Sequence, residues 1–292
     1  MRDFSGDHRW LSINTATIRK SNGAELPLPD IIEACARHGI RAISPWRDQV
    51  ASAGLATISK LVKQHGLALS GYCRGGMFPA MDEAGRKAAR DDNRRAVDEA
   101  RELGAACLVL VVGGLPGALA GTPAHKDIAL ARSQVTDGIA ELLEYSRSVG
   151  MPLAIEPLHP MYAADRACIN TMEQALDVCD QLDPGKTGAL GVAVDVYHVW
   201  WDPKLQSQIE RAGKERILAL HVCDWLTPTA DLLNDRGMMG DGVIDIPRIR
   251  RWVEDQGFAG YSEVEIFSAG NWWQRDHEEV LDTCIARHRS AV

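Results

Sequence analysis

"GYSEVEIF" (residues 260–267) places two glutamates, Glu263 and Glu265, inside a run of strand-forming residues. Strand side chains alternate between faces, so Val264 and Ile266 share one face and the two glutamates share the other. A buried carboxylate without a partner is costly, because an isolated charge loses its hydration on leaving water. The same layout recurs upstream. In "PLAIEP" (152–157), Leu153 and Ile155 oppose Ala154 and Glu156. In "GVAVDVYH" (191–198), Val192, Val194 and Val196 oppose Ala193 and Asp195. In "ILALHVCDW" (217–225), Leu218, Leu220 and Val222 oppose Ala219 and His221. Each time one face is branched and apolar, while the other is small and then polar toward the C-terminal end of the run.

Four more apolar runs precede these: "WLSIN" (10–14), "RAISPW" (41–46), "LALSGY" (67–72) and "CLVLVVGG" (107–114). Helical spacing fills the intervals, predicting helices over 30–38 behind Asp30 as cap, 83–103, 125–148, 171–182 behind Asn170 or Thr171, 203–213, 246–255 and 273–288. Eight strands alternating with helices, with no linker or low-complexity segment, specify an α/β protein: a single-domain (β/α)8 TIM barrel over residues 1–292. The competing open doubly wound sheet wants a glycine-rich phosphate turn after its first strand. "SINTATIRKSNG" is not one, and "VGGLPGALAG" (112–121) has the wrong spacing and place.

Composition narrows the partners. A net charge of −8 argues against nucleic acid, which favours a basic surface. "MRDFSGDHRW" has no apolar core to act as a secretory signal, and no run approaches 18 apolar residues, so no membrane partner and a cytoplasmic location are expected. The seven cysteines are scattered without a C-x-x-C pair, which suits reduced thiols in that compartment.

In a barrel the small-then-polar face points inward, and the C-terminal strand ends carry the chemistry. Glu156, Asp195, His221 and Glu265 then gather at one rim. Three carboxylates crowded together repel one another and their pKa values rise. One divalent cation resolves this. The oxygen-rich donor set suits Mn²⁺ first, then Mg²⁺, with Co²⁺ or Zn²⁺ compatible. Glu265, nearer the rim, is the expected ligand, whereas Glu263, one layer deeper, is expected in a buried ion pair or hydrogen bond. A lone acidic residue at a strand end is more often a helix cap or ion-pair member; the joint pattern on four strands is what points to a metal.

Taken together, "LAIEPLHP", "VAVDVYHVWWDP", "LALHVCDW", "RGMMGDGVIDI" and "SEVEIFS" resemble the xylose isomerase-like (AP endonuclease 2 type) barrels, most strongly over residues 151–273. That family includes sugar and sugar-phosphate isomerases and epimerases, and also dehydratases, lyases and nucleases. The resemblance implies one divalent ion on Glu156, Asp195, His221 and Glu265, with Glu156 and Glu265 also acting as acid and base on opposite faces of a sugar. It implies substrate contacts from His198, three residues after the aspartate, and from Arg236, just before the turn Gly240–Gly242. A capping or core role for His198 and a solvated loop position for Arg236 are the structural alternatives. The long loop "EPLHPMYAADRACIN" (156–170) brings His159 and Arg166 to the rim, for substrate or for structure. Trp200, Trp201, Trp272 and Trp273 flank strand ends, as walls for a sugar or as packing.

The activity implied is a metal-dependent isomerase or epimerase acting on a keto-sugar or cyclitol by proton transfer next to a carbonyl. With a leaving group β to the carbanion, the same deprotonation makes a lyase, of the inosose dehydratase type or of the C-glycoside deglycosidase type that cleaves 3-keto-glycosides and works with a small partner subunit. Association as a homo-oligomer is the other arrangement open to the chain. A metal-dependent AP endonuclease is disfavoured, because the ends of the first four strands offer only Asp48 as a further ligand. An intact four-ligand set argues against a non-enzymatic binding barrel. No Lys/Arg-rich strand end announces a phosphate, so an unphosphorylated substrate is expected.

Overall fold

Every apolar run of the sequence enters one ring of parallel strands. The computed structural model describes residues 2–292. The first strand (Leu11–Asn14) pairs with the second (Ala42–Ser44) on one side and with the eighth (Ser262–Val264) on the other. The eighth continues to the seventh (Ile217–Val222), the sixth (Leu190–Asp195), the fifth (Leu153–Ile155) and the fourth (Leu108–Val111). The third strand is in two pieces. Ala68–Leu69 pairs with the second strand and Tyr72–Gly76 with the fourth, and the parallel bridges Leu69–Ala105 and Trp46–Cys73 tie the pieces to their other neighbours. The ring is thus a nearly closed (β/α)8 TIM barrel.

The third strand runs past the expected 67–72 because a side chain extends its ladder. Asn93, on the helix Glu83–Leu103, accepts the Gly76 N–H at 2.6 Å and donates to the Gly76 carbonyl at 2.8 Å. Two helices, Arg47–Ala53 and Leu55–His65, lie where the sequence pattern above assigns none; Gly54, at φ +88°, interrupts the helical spacing between Val50 and Ile58. The first helix is Leu28–Arg37 with Pro27 as its cap, so Asp30 sits in the first turn and does not cap it. The expected helix 125–148 begins later, at Ile128, behind Asp127. The last helix, His277–Ala291, is held back by the 3₁₀ turn Trp272–Gln274 and capped by Asp276.

The two faces read from the sequence separate as two cores. Leu153, Ile155, Val192, Val194, Val264 and Ile266 pack outward in the main core between strands and helices. Cys73, Cys107, Val109, Ala154, Ala193 and Ala219 fill the barrel interior. Leu218 departs from its expected outward face and packs on this inner group, because the seventh strand shifts register against the sixth between Ile217 and Ala219. Small inner side chains leave space above them, and that space holds the polar ends of the strands. Among the described residues no helix is long and apolar enough to cross a membrane.

Candidate active site

The last residues of the fifth to eighth strands meet at the C-terminal rim. Glu156, Asp195, His221 and Glu265 each offer a donor atom, and these atoms all lie within 4.8 Å of one another; all four residues are buried. His221 Nδ1 is 2.8 Å from Glu156 Oε1 and 4.0 Å from Glu265 Oε2. Asp195 Oδ1 accepts the backbone N–H of Tyr197 at 2.8 Å, which orients the carboxylate at the strand end.

Glu263 lies one layer below. Its Oε1 accepts from Asn14 Nδ2 at 2.8 Å, its Oε2 accepts from Ser70 Oγ at 2.8 Å, and His221 Nε2 stands 3.5 Å away. Asn14 also accepts from Trp46 Nε1 at 2.8 Å, so the deeper glutamate anchors a chain of polar contacts reaching the pocket wall.

Arg236 closes the cluster. It is buried, lying on the short strand Arg236–Gly237 that pairs antiparallel with Asp224–Trp225. Its Nη1 donates to Asp195 Oδ2 at 3.2 Å and to Glu265 Oε2 at 3.0 Å, and Nη2 is 3.2 Å from His198 Nε2. The rings of Tyr197 and Phe267 flank it, 4.5 and 5.1 Å from the guanidinium carbon. His198 is also buried, in the short helix Val196–Val199, and its Nδ1 accepts the backbone N–H of His159 at 3.2 Å.

The electrostatics follow from burial and crowding. Burial pushes the Asp195 carboxyl up to about 6, against the pull of Arg236. Burial also raises Glu265, with Arg236 opposing and Glu156 adding to the rise. Burial works against a charged His221, yet Glu263, the Glu156 hydrogen bond and Glu265 outweigh it and hold the imidazole well above its ordinary value. For His198, burial and then Arg236 push the other way, so the ring stays neutral. The cluster therefore has an excess of negative charge that draws in protons or cations. Among the described residues His221 Nε2 has no hydrogen-bond partner. Three buried carboxylates and an imidazole whose donor atoms lie within 4.8 Å of one another fit a divalent cation.

The pocket beside the cluster is lined by Glu156, Glu265, His198 and Arg236, with Trp46 and Phe267 as an aromatic wall; their rings meet edge to face at 5.5 Å. Arg74 and Arg166 line it too. His159 does not: its ring stacks on Trp225 at 4.9 Å and meets Trp201 at 5.8 Å. Trp200, Trp201, Trp272 and Trp273 are also absent from the pocket. Trp201 donates to the His198 carbonyl and Trp273 to the Ala16 carbonyl, which is packing and positioning. Sequence reasoning missed Trp46, Arg74, Phe267 and Asp224. Asp224 accepts from the backbone N–H of Trp225, Gly240 and Ile244, at 2.9 to 3.0 Å, and so ties the glycine turn to the strand that pairs with the one carrying Arg236. Gly242 is required there, since a Cβ would lie 2.2 Å from the Trp225 carbonyl oxygen. A buried aspartate followed some 16 residues later by G-D-G is the signal that could have found this loop.

Fold and site together define a class: parallel (β/α)8 barrels with a buried carboxylate–imidazole cluster at the C-terminal rim. The chain belongs to the xylose isomerase-like TIM barrel family, whose model matches residues 32–284. It is 59% identical to protein SMc04130 from Sinorhizobium meliloti 1021, a solved structure, over 97% of this chain and 98% of that one, with a TM-score of 0.90. It is 27% identical to fructoselysine 3-epimerase of Shigella flexneri over 73% of each chain. The crystal structure of IOLI protein with a bound zinc atom has the same fold, at 20% identity, 94% of each chain and a TM-score of 0.76.

Proposed function

We propose that this protein is a divalent-metal-dependent epimerase or isomerase that moves a proton at a carbon next to the carbonyl of a keto-sugar or cyclitol. The observation that carries the reading is the convergence of Glu156, Asp195, His221 and Glu265 within 4.8 Å, buried, beside a pocket with polar and aromatic walls. The name of the Shigella flexneri relative and the zinc in the IOLI protein point the same way. Glu156, Asp195, His221 and Glu265 would hold the ion, which when bound supplies Lewis-acid polarisation of the substrate carbonyl.

The chain's own residues account for the rest. Glu156 and Glu265, from the fifth and eighth strands, exchange the proton as base and acid. Arg236 holds the Glu265 carboxylate in place, and with the ion bound Glu156 and His221, 2.8 Å apart, would both be fixed by it. Arg236 Nη2 and neutral His198 face the same space and bind substrate oxygens. His159 acts at one remove, through its backbone N–H on His198. Trp46 and Phe267 cover the apolar face of the sugar and exclude water.

The test is a screen of ketoses and inososes with the Mn²⁺-loaded protein in D₂O, read by mass spectrometry and NMR. Deuterium should enter at the carbon next to the carbonyl of any substrate that turns over. Turnover without solvent exchange, with the hydrogen moved to the neighbouring carbon, would mean a hydride shift and would overturn the acid–base assignment.

A further inference from the structure

The pocket contains two cations that the reaction proposed above does not use. Among the described residues, the arginines with neither a side-chain hydrogen bond nor an ion pair are Arg41, Arg74, Arg94, Arg101, Arg166 and Arg251. Arg41, Arg94, Arg101 and Arg251 are exposed, where water serves as partner. Arg74 and Arg166 are only partly exposed, and both line the active-site pocket. Burial lowers the Arg74 guanidinium below its ordinary value, and the neighbouring charge of Arg166 adds to the drop. The Arg166 guanidinium carbon lies 5.8 Å from the centre of the Tyr162 ring. Arg47, whose charge also reaches Arg74, is itself matched by Asp92 and Glu99.

The backbone shows that Arg74 is set in place. Tyr72 and Cys73 stand opposite Leu108 and Val109, and Gly75 and Gly76 stand opposite Leu110 and Val111. Arg74 is the extra residue of a bulge, a device that re-aims a side chain at the edge of a site. The bulge is fixed from behind by both hydrogen bonds between Asn93 and Gly76. A Cβ on Gly75 would come within 2.9 Å of Asn93 Oδ1, and one on Gly76 within 1.9 Å of the Val111 carbonyl oxygen. Arg166 arrives from elsewhere, on the loop after the fifth strand. Two guanidiniums that line one pocket and bond to no carboxylate, in a chain of net charge −8, amount to half of an anion site, with the Glu156 charge reaching Arg74 from the acidic end of the same pocket.

We propose that the substrate carries an anionic group, a carboxylate or a phosphate, held by Arg74 and Arg166 while its keto-sugar portion occupies the acidic end of the pocket. The proposal rests on the keto-sugar reading and narrows it to acidic sugars or cyclitols. It also reopens the phosphate that the sequence pattern argued against, because the two cations come from distant stretches and form no cluster in sequence.

The experiment compares a neutral ketohexose, its 6-phosphate and the corresponding ketohexuronate as substrates of the Mn²⁺-loaded full chain, in wild type, Arg74→Gln and Arg166→Gln. One anionic compound should exceed the neutral ketose by at least tenfold in kcat/KM, and which one does so identifies the group. Each variant should lose about 10–100-fold in kcat/KM on that compound, mainly through KM, as expected for a lost charge-assisted hydrogen bond. Activity on the neutral ketose should change by less than about threefold. Equal use of neutral and anionic ketoses, or equal losses on both in the variants, overturns the anion site. If no ketose of any kind turns over, the keto-sugar reading itself fails. Calorimetric titration of the full chain with inorganic phosphate and with glucuronate then decides the anion site alone. Saturable binding that the Arg74→Gln/Arg166→Gln double variant weakens at least tenfold, with unchanged thermal midpoint, supports it; no saturable binding by the wild type overturns it.

Discussion

Glu263 and Glu265 share a strand face, two positions apart, and meet different partners. Glu263 is satisfied by Asn14 and Ser70, whereas Glu265 has Arg236 and the open pocket. The deeper residue is structural and the upper one is placed for chemistry. A Glu265→Gln variant should keep the fold and some metal but lose about 10²–10⁴-fold in turnover, the usual worth of a general base; activity within threefold of wild type would remove Glu265 from that role. Glu156→Gln and Asp195→Asn each delete a charged donor from the cluster. Metal content after dialysis against limiting Mn²⁺ should fall well below stoichiometric in both, and full occupancy in both would place the ligands elsewhere. These four residues were legible in the sequence because regular strands repeat every two residues, so the inward parity could be counted. Arg74 was not legible, because the bulge breaks that period. Trp46 and Phe267 sit just past strand ends, where no period applies.

At the scale of elements, the eight strands announced themselves by short branched apolar runs, and the helix Glu83–Leu103 by its helical spacing. The third strand did not show its true length. Its second half, "YCRGG", has poor strand propensity and persists because Asn93 supplies the hydrogen bonds that hold Gly76. The glycines make this possible. At Gly76, φ is +109° and the Val111 backbone passes so close that no side chain fits. Gly76→Ala should therefore destabilise the protein by about 2–3 kcal/mol, combining backbone strain with overpacking. Urea unfolding measures this, and a change smaller than about 0.5 kcal/mol would show that the strand can relax. The helices Arg47–Ala53 and Leu55–His65 escaped the sequence reading for a related reason: Gly54 breaks the helical spacing between Val50 and Ile58, so no single period runs through the stretch.

The whole molecule closes at the end of the barrel away from the pocket. The closure was foreseen from the alternation of strands and helices, but the contacts that lock it were not, since they join opposite ends of the described chain. Arg250 donates to the backbone oxygens of Val292 and Arg2, at 2.9 and 2.8 Å, and lies 3.9 Å over the Phe4 ring. His288 stacks on the same ring at 4.4 Å, fully buried, and among the described residues neither of its ring nitrogens has a partner. Burial first, and then Arg250 with His8 and Arg2, pushes His288 down to about 3. The unfolded chain binds that proton near pH 6.5, so this histidine takes nothing from stability above pH 6.5. Below it the unfolded state gains a proton that the folded state refuses. Stability is then lost progressively down to about pH 3, where the folded state protonates too. Each pH unit in that window is worth about 1.4 kcal/mol, so roughly 2 kcal/mol should disappear between pH 6.5 and pH 5 on this account alone. His288→Phe keeps the stack on Phe4 and removes the titration. In urea unfolding at both pH values, the wild type should lose about 2 kcal/mol more than the variant, whatever the variant's own stability. Equal losses would show that His288 is already charged, or already solvated, in the folded barrel.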